Sequence, residues 1–323
     1  MDSRLLVTGA SGFVGRAVVQ RAVGKGLALR VATRQVVSGW PGGVENAAGL
    51  ELAPGTDWSD ALAGITDVVH CAARVHVMHD TAADPLAEFR RVNTTATLDF
   101  ARQAAAAGVR RLVFLSTIFV NGVETCATPY SAEDRAAPRS PYAVSKLEAE
   151  EGLRRIAEET GLELVIVRPP LVYGPGVRGN FARLMRALQR GIPLPLGAVT
   201  NRRSLVALDN LVDLILTCVR HPNATNQTFL VSDGEDLSTT ELLRRTAKAL
   251  GRPARLLPVP GAALRVAATA LGKRELAQRL FGSLQVDIAK TRSLLGWAPL
   301  VSVDEGLRQT AARFLADARE AQA

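Results

Sequence analysis

Cysteine and histidine are both scarce in this chain, and their spacing excludes several chemistries. Cys71, Cys126 and Cys218 are odd in number and far apart, which matches neither a disulfide framework nor a thiolate metal site. A reducing compartment is expected. Of the four histidines (His70, His76, His79, His221), only His76 and His79 are close together, and no third ligand stands beside them. No apolar run is long enough to span a bilayer. Leu256 to Leu271 comes nearest, but Pro258, Pro260 and Arg265 interrupt it, and it reads as a loop followed by an amphipathic helix. The first strand starts almost at Met1, which leaves no room for a secretory leader. A cytoplasmic protein without membrane insertion is expected. Lysine-rich runs are missing as well. The formal charge of +8 is carried mostly by scattered arginines, without the basic stripe and interleaved aromatics of a nucleic-acid surface. Arginine in this setting suits a polyanionic small molecule.

What is present favours a large α/β protein. The chain has 323 residues, of which 47 % are hydrophobic and 22 % charged, enough for one sizeable core or two unequal lobes. Apolar runs of strand length at 4–8, 28–32, 66–72, 112–116 and 164–167 alternate with helical spacing. Two helices have well-marked ends. Asp84 caps one, with Pro85 in its first turn and Gly108 after its last; Ser140 caps the other, with Pro141 first and Gly161 at its stop. Such alternation predicts a parallel sheet covered on both faces. After Arg168, prolines and glycines break the rhythm. The expected division is a Rossmann-type, doubly wound dinucleotide-binding domain over residues 1–167 and a smaller, irregular substrate lobe over 168–323. Segments of the second are expected to return to the first sheet.

Thr8–Gly9–Ala10–Ser11–Gly12–Phe13–Val14–Gly15 links the first strand to the first helix. Gly9 allows a tight turn, Gly12 lets backbone N–H groups approach a pyrophosphate, and Gly15 permits close helix–strand packing. Gly9, Ser11, Gly12, Phe13, Val14 and Gly15 are therefore expected cofactor contacts. An acid at the end of the second strand would bind the adenosine ribose of NAD, but the sequence there is Val31–Ala32–Thr33–Arg34. Arg34 could face a 2′-phosphate, so NADP is expected, with NAD as the alternative.

Tyr142 and Lys146 are four residues apart at the start of the capped helix, on one face. A phenol is a poor base at its ordinary pKa of about 10. A nearby ammonium and an oxidised nicotinamide stabilise the phenolate and bring it toward working pH.

The G-x-x-G-x-x-G loop and this Tyr/Lys pair resemble the short-chain dehydrogenase/reductase group, in particular its extended branch of sugar-nucleotide epimerases, dehydratases and reductases. The resemblance spans nearly the whole chain. It implies a third catalytic residue, Thr117, in Ser116–Thr117–Ile118–Phe119–Val120–Asn121–Gly122, holding the substrate oxygen near Tyr142. It implies adenine contacts at Asp57 and Trp58, passage of the cofactor over Ala72 and Ala73, a buried helix asparagine at Asn93, and Pro169 beside the nicotinamide in the stretch 168–176. Leu295–Gly296–Trp297–Ala298–Pro299 matches the closing motif before the last helix. Arg203 and Asn180 correspond to contacts with the diphosphate of a nucleotide sugar, and Arg279 is a second phosphate contact. The same resemblance implies a homodimer through the helices 84–107 and 141–160.

The dehydratases of that branch place acids directly after the catalytic Thr or Ser, where this chain has Ile118 and Phe119. Neither side chain can move a proton. What remains is hydride chemistry at one carbinol carbon. The first expectation is NADPH-dependent reduction of a UDP-4-keto-6-deoxy-N-acetylhexosamine in surface polysaccharide synthesis, because Arg34 stands where an acid would select NAD. The alternative is a UDP-sugar 4-epimerase with tightly bound NAD. A reductase of non-sugar ketones would need neither Arg203 nor Asn180, and a redox-sensing dinucleotide binder would not need the Tyr/Lys pair.

Overall fold

A computed structural model describes residues 3–75, 84–270, 278 and 280–320. The strands are β1 (Arg4–Thr8), β2 (Ala28–Thr33), β3 (Val44–Ala48), β4 (Asp67–His70), β5 (Arg111–Leu115), β6 (Glu163–Arg168), β7 (Leu171–Tyr173), β8 (Arg203–Ala207), β9 (Gln227–Leu230) and β10 (Asp236–Leu237). Seven of them form one sheet in the order β3-β2-β1-β4-β5-β6-β9, parallel at every pairing. This is the doubly wound α/β fold expected from the alternation of elements. The strand order reverses between β1 and β4, and ligands of such sheets bind in the crevice that opens there.

Successive residues of the central strands serve opposite cores, as a strand period of two requires. Leu5 and Val7 pack with helix α1 (Phe13–Gly24) on one face. Leu6, Val68, Leu112 and Ile166 pack on the other. Between β3 and β4 runs the short helix α2 (Ser59–Leu62). The second face is covered by two long helical segments. The first begins as α3 (Pro85–Phe89), widens to a π-helical turn over Arg90–Ala96 and continues as α4 (Thr97–Ala106); the second is α5 (Pro141–Thr160). Their caps are those read from the sequence: Asp84 accepts from the Ala87 N–H at 3.0 Å and Ser140 from the Ala143 N–H at 3.2 Å. Gly161 closes α5 with φ +77°, a conformation open to glycine.

Beyond residue 167 the chain leaves the sheet and comes back to it. Helix α6 (Gly179–Gln189) precedes β8, and α7 (Leu208–Arg220) follows it and packs beside α1. β9 then joins the edge of β6. Arg111, 1 % exposed, bonds Glu163 through Nε at 2.7 Å and gives Nη1 to the carbonyls of Cys218, Val219 and His221. It thereby satisfies the end of α7 and clamps it to β5. β7, β8 and β10 make a small second sheet with α6, α8 (Thr239–Ala249) and the helix Val303–Glu320 around a third core. Helix α9 (Gly261–Ala270) takes up most of the apolar stretch read as loop and helix. No helix among the described residues is long and apolar enough to cross a membrane.

His70, at the end of β4, stacks on Phe100 at 5.1 Å and Phe114 at 5.9 Å. Its Nδ1 lies 2.9 Å from the Thr8 hydroxyl and its Nε2 3.3 Å from that of Thr97. Burial, aided by Lys146, pushes its pKa down to about 3. The unfolded chain protonates this histidine near 6.5 and the folded one does not, so acidification favours unfolding between those values. Denaturant titrations at pH 7 and pH 5 should differ by on the order of 2 kcal/mol from this group. A His70→Gln variant, whatever its absolute stability, should lose that part of the pH dependence.

Candidate active site

A cleft of about 1170 Å³ opens at the carboxyl ends of β1, β4 and β5 and runs into the C-terminal lobe. That exceeds the usual volume for one drug-sized ligand and suits a dinucleotide with a second nucleotide. Its floor is the glycine loop. The Gly12 N–H bonds the Gly9 carbonyl at 2.9 Å, and Gly12 caps α1 without a side chain, which leaves the helix N-terminus open to an anion. A Cβ on Gly9 would lie 2.6 Å from the Ala72 nitrogen, and one on Gly15 would lie 2.2 Å from the Gly9 oxygen. Both are glycine because backbone occupies the space. Ser11, Phe13, Val14, Ala72 and Ala73 also line the cleft, with exposed Arg34 at its rim. A dinucleotide pyrophosphate fits this cradle.

The adenosine end differs from the sequence reading at one residue. Trp58 reaches the cleft and packs edge-on against Phe100 at 4.8 Å. Asp57 is not among the lining residues; it is exposed and accepts from the Ser59 N–H at 3.0 Å and hydroxyl at 2.5 Å. It holds the start of α2. Leu50, Glu51 and Leu52 take the wall instead, directly after β3, with the Leu50 N–H bonded to the Thr33 carbonyl at 3.1 Å. The signal for them lay in β3 itself, which is too polar to be read as a strand.

Tyr142, Thr117 and Pro169 all line the cleft. Thr117 is buried, and its hydroxyl accepts from the Phe119 N–H at 3.3 Å, starting a short 3₁₀ turn. Burial pushes the Tyr142 phenol up to about 12. Lys146 lies behind the wall, 1 % exposed, with Nζ 3.8 Å from the centre of the Phe114 ring. Burial lowers its pKa to about 7, against the opposing pull of Glu150 and Cys71. The Cys71 thiol, on the cleft wall, is itself pushed up to about 12 by burial and stays a thiol.

Two buried networks fix these groups. Asn93, in the π-helical turn, accepts from the Arg74 N–H at 2.8 Å and donates to the Arg74 carbonyl at 3.0 Å and the Ser145 hydroxyl at 3.1 Å. It ties the cleft floor after Ala73 to the Tyr/Lys helix; π turns often mark such sites. Glu150, one helical turn beyond Lys146, accepts from the Ser116 hydroxyl at 2.5 Å and from Arg168 Nε at 2.9 Å and Nη2 at 2.5 Å. Arg168 Nη1 reaches Asn121 at 3.0 Å, which in turn donates to the Ser131 carbonyl at 2.8 Å. Glu150 and Arg168 were not singled out as a pair in the sequence, since 18 residues separate them and only the β6–α5 packing brings them together.

Arg203 and Asn180 both line the cleft, on elements of the C-terminal lobe. Arg203 Nη1 bonds the Gly282 carbonyl at 3.0 Å, while Asn180, at the start of α6, accepts from Arg183. Arg279 lies outside the described residues. Arg183, Arg74 and Arg91 join Arg34 and Arg203, and Glu51 is the one carboxylate among the described lining residues. The lining also has aliphatic and aromatic members, including Phe119, Leu171, Phe181, Leu205 and Leu284.

A parallel doubly wound sheet, a glycine cradle at its switch point and a Tyr-x-x-x-Lys helix over the same crevice define an extended short-chain dehydrogenase/reductase. The chain belongs to the NAD dependent epimerase/dehydratase family, whose sequence model matches residues 5–232. It is 46 % identical over 318 residues to a UDP-glucose 4-epimerase of Vibrio cholerae, covering 98 % of this chain and 96 % of that one. Among solved structures, a UDP-glucuronic acid 4-epimerase of Bacillus cereus in complex with NAD superposes with a TM-score of 0.79 at 19 % identity, covering 97 % of this chain and 99 % of that one. A UDP-glucose 4-epimerase of Thermotoga maritima with UDP-glucose gives 0.76 at 23 % identity, covering 98 % and 99 %. These two likenesses concern the fold.

Removing the Glu150 carboxylate strands the buried Arg168 guanidinium. Glu150→Ala should cost about 3–5 kcal/mol of stability, read by chemical denaturation. Glu150→Gln, which keeps an acceptor for Ser116, should cost less.

Proposed function

We propose that the protein interconverts UDP-hexoses epimeric at C4, using bound NAD. The observation that carries this reading is the make-up of the cleft: Tyr142 and Thr117 both line it, and Glu51, just after β3, is the one carboxylate among its described lining residues. Ile118 and Phe119 stand where dehydration would need acids, so one carbinol carbon is the site of reaction. The 46 % identity with the Vibrio cholerae UDP-glucose 4-epimerase favours epimerisation over the 4-keto reduction first expected from Arg34. The family's NAD dependence likewise favours NAD over NADP, with Arg34 at the rim contributing charge rather than cofactor choice.

Bound NAD supplies the hydride acceptor in the first half of the reaction and the donor in the second. Tyr142 takes the proton of the C4 hydroxyl on oxidation and returns one to the C4 oxygen after the keto sugar has presented its other face. Its phenol is held far above neutral pH by burial, so the base form depends on the positive charge of Lys146 behind it. Thr117 holds the C4 oxygen. Arg203, Asn180 and Arg183 receive the diphosphate, whose charge is met by the arginine-rich wall. The glycine cradle and Trp58 hold the cofactor on residues 1–167, and the lobe over 168–323 holds the sugar nucleotide. The segments 84–107 and 141–160 lie side by side on one face of the sheet, the surface through which two copies would form an isologous dimer.

Purified protein given UDP-glucose without added cofactor should release UDP-galactose until the two reach equilibrium, read by anion-exchange chromatography. Tyr142→Phe should lower kcat by about 10²–10⁴-fold while retaining bound NAD. Consumption of NADPH by a UDP-4-keto sugar, with no epimer formed from UDP-glucose, would restore the reductase reading.

A further inference from the structure

The positive charge of this protein is segregated to an extent that the redox site uses only in part. Between Glu163 and Asp209 the chain carries seven arginines and no acid, and between Glu241 and Glu275 eight basic residues and no acid. These fifteen come from 39 lysines and arginines in all, and the other 24 are outnumbered by the 31 acids. The whole positive excess thus resides in two segments of the C-terminal lobe. The fold sets them side by side. α6 and α8 are neighbours, and the chain leaving each helix enters a two-stranded parallel ribbon, Leu194 opposite Leu256 and Ala198 opposite Pro260. The Leu194 N–H bonds the Arg255 carbonyl at 2.9 Å, the Leu257 N–H the Leu194 carbonyl at 2.8 Å, and the Gly197 N–H the Leu257 carbonyl at 2.9 Å.

The strand period of two sorts this ribbon into two faces. Leu194, Leu196 and Leu256 turn to the core of the lobe. Pro193, Pro195, Arg255 and Leu257 are exposed on the other side. Leu257 is 52 % exposed, Ile192 at the start of the ribbon 45 %, and Val266 on the adjoining α9 71 %. Exposed Arg190 and Arg252 stand where α6 and α8 run into the ribbon, and the Arg255 guanidinium lies over Gly191. Arg245 is engaged by Glu235, Glu241 and Asp304, whereas Arg186, Arg190, Arg252 and Arg255 have no carboxylate partner among the described residues.

We propose that this ribbon face docks on an anionic phospholipid surface, with Ile192, Leu257 and Val266 entering the interface and the arginines meeting the head groups. Interfacial elements combine apolar area to bury with cationic charge that anionic lipid attracts, and the described residues of these two segments supply both and include no acid. A nucleic acid would leave the exposed aliphatic side chains in water, and a second copy of the chain would bring arginine against arginine. The face is continuous with the substrate side of the protein. The start of α6 gives Asn180, Arg183 and Leu184 to the cleft, and its end gives Arg186 and Arg190 to the basic surface. Docking carries the lobe with the sugar end of the cleft onto the membrane.

The test uses the full chain, sedimented with phosphatidylcholine vesicles with or without phosphatidylglycerol. The bound fraction should be about tenfold higher on the anionic vesicles and should fall away in high salt. The double variant Arg190→Glu/Arg255→Glu and the single variant Leu257→Asp should each lower it about tenfold. Circular dichroism and turnover of a water-soluble UDP-sugar should be unchanged in both, since none of these residues lines the cleft; the proposal is thereby independent of the 4-epimerase reading. Absence of binding to anionic vesicles, or undiminished binding by both variants, overturns it. So does an oligonucleotide shift that depends on the same arginines in protein that ignores vesicles.

Discussion

The buried ion pair between Glu150 and Arg168 is the constraint on which the active centre rests. Glu150 belongs to α5, Arg168 to the end of β6, and Ser116, which shares the carboxylate, to the end of β5. Three elements that carry Lys146, Pro169 and Thr117 are thus joined at one carboxylate. A charge pair in such a place is costly unless every lone pair and proton finds a partner. Here the guanidinium extends the network to Asn121 and the carboxylate is filled by Ser116, so the cost of desolvation is offset by geometry. The same negative charge stands one helical turn from Lys146 and opposes the loss of its proton in a buried site. Structural locking and tuning of the catalytic helix come from one side chain.

The site divides its labour along the cleft. At the cofactor end, contact is made by backbone: glycines packed against backbone, small residues at Ala72 and Ala73, and an open helix N-terminus. At the centre, a phenol and an ammonium are both held away from their ordinary titration ranges by burial. Five arginines (Arg34, Arg74, Arg91, Arg183, Arg203) and one carboxylate, Glu51, are among the described lining residues. Such a wall suits polyanionic ligands. In the proposed function the chemistry is confined to one carbon, because Ile118 and Phe119 stand where dehydration would need acids.

Much of this was legible because the informative interactions are local. Helix caps at Asp84 and Ser140, the turn glycines, and the four-residue spacing of Tyr142 and Lys146 are properties of a few adjacent residues. The apolar runs of β1, β2, β4, β5 and β6 announce themselves because both faces of each are buried. β3 did not, since an edge strand of sequence Val-Glu-Asn-Ala-Ala has no apolar run. Leu50, Glu51 and Leu52, which follow β3 and line the cleft, therefore had no local signal in the sequence. A return of the later chain to the first sheet was expected, but which segments make it, β9 and α7, was not, because the partners that hold them, such as Arg111, lie over a hundred residues away.

The class of fold was readable from spacing within one or two turns of chain, and the same short-range spacing pointed to a glycine cradle and a Tyr/Lys pair on one helix face. Only the tertiary structure decided which distant residues stand around that pair. The joining of Glu150 to Arg168, the clamp of Asn93 on Arg74, and the pairing of two acid-free segments into one basic and apolar face all depend on packing. Their energetic meaning arises from burial and from neighbours far along the chain, quantities that a local pattern of residues does not contain.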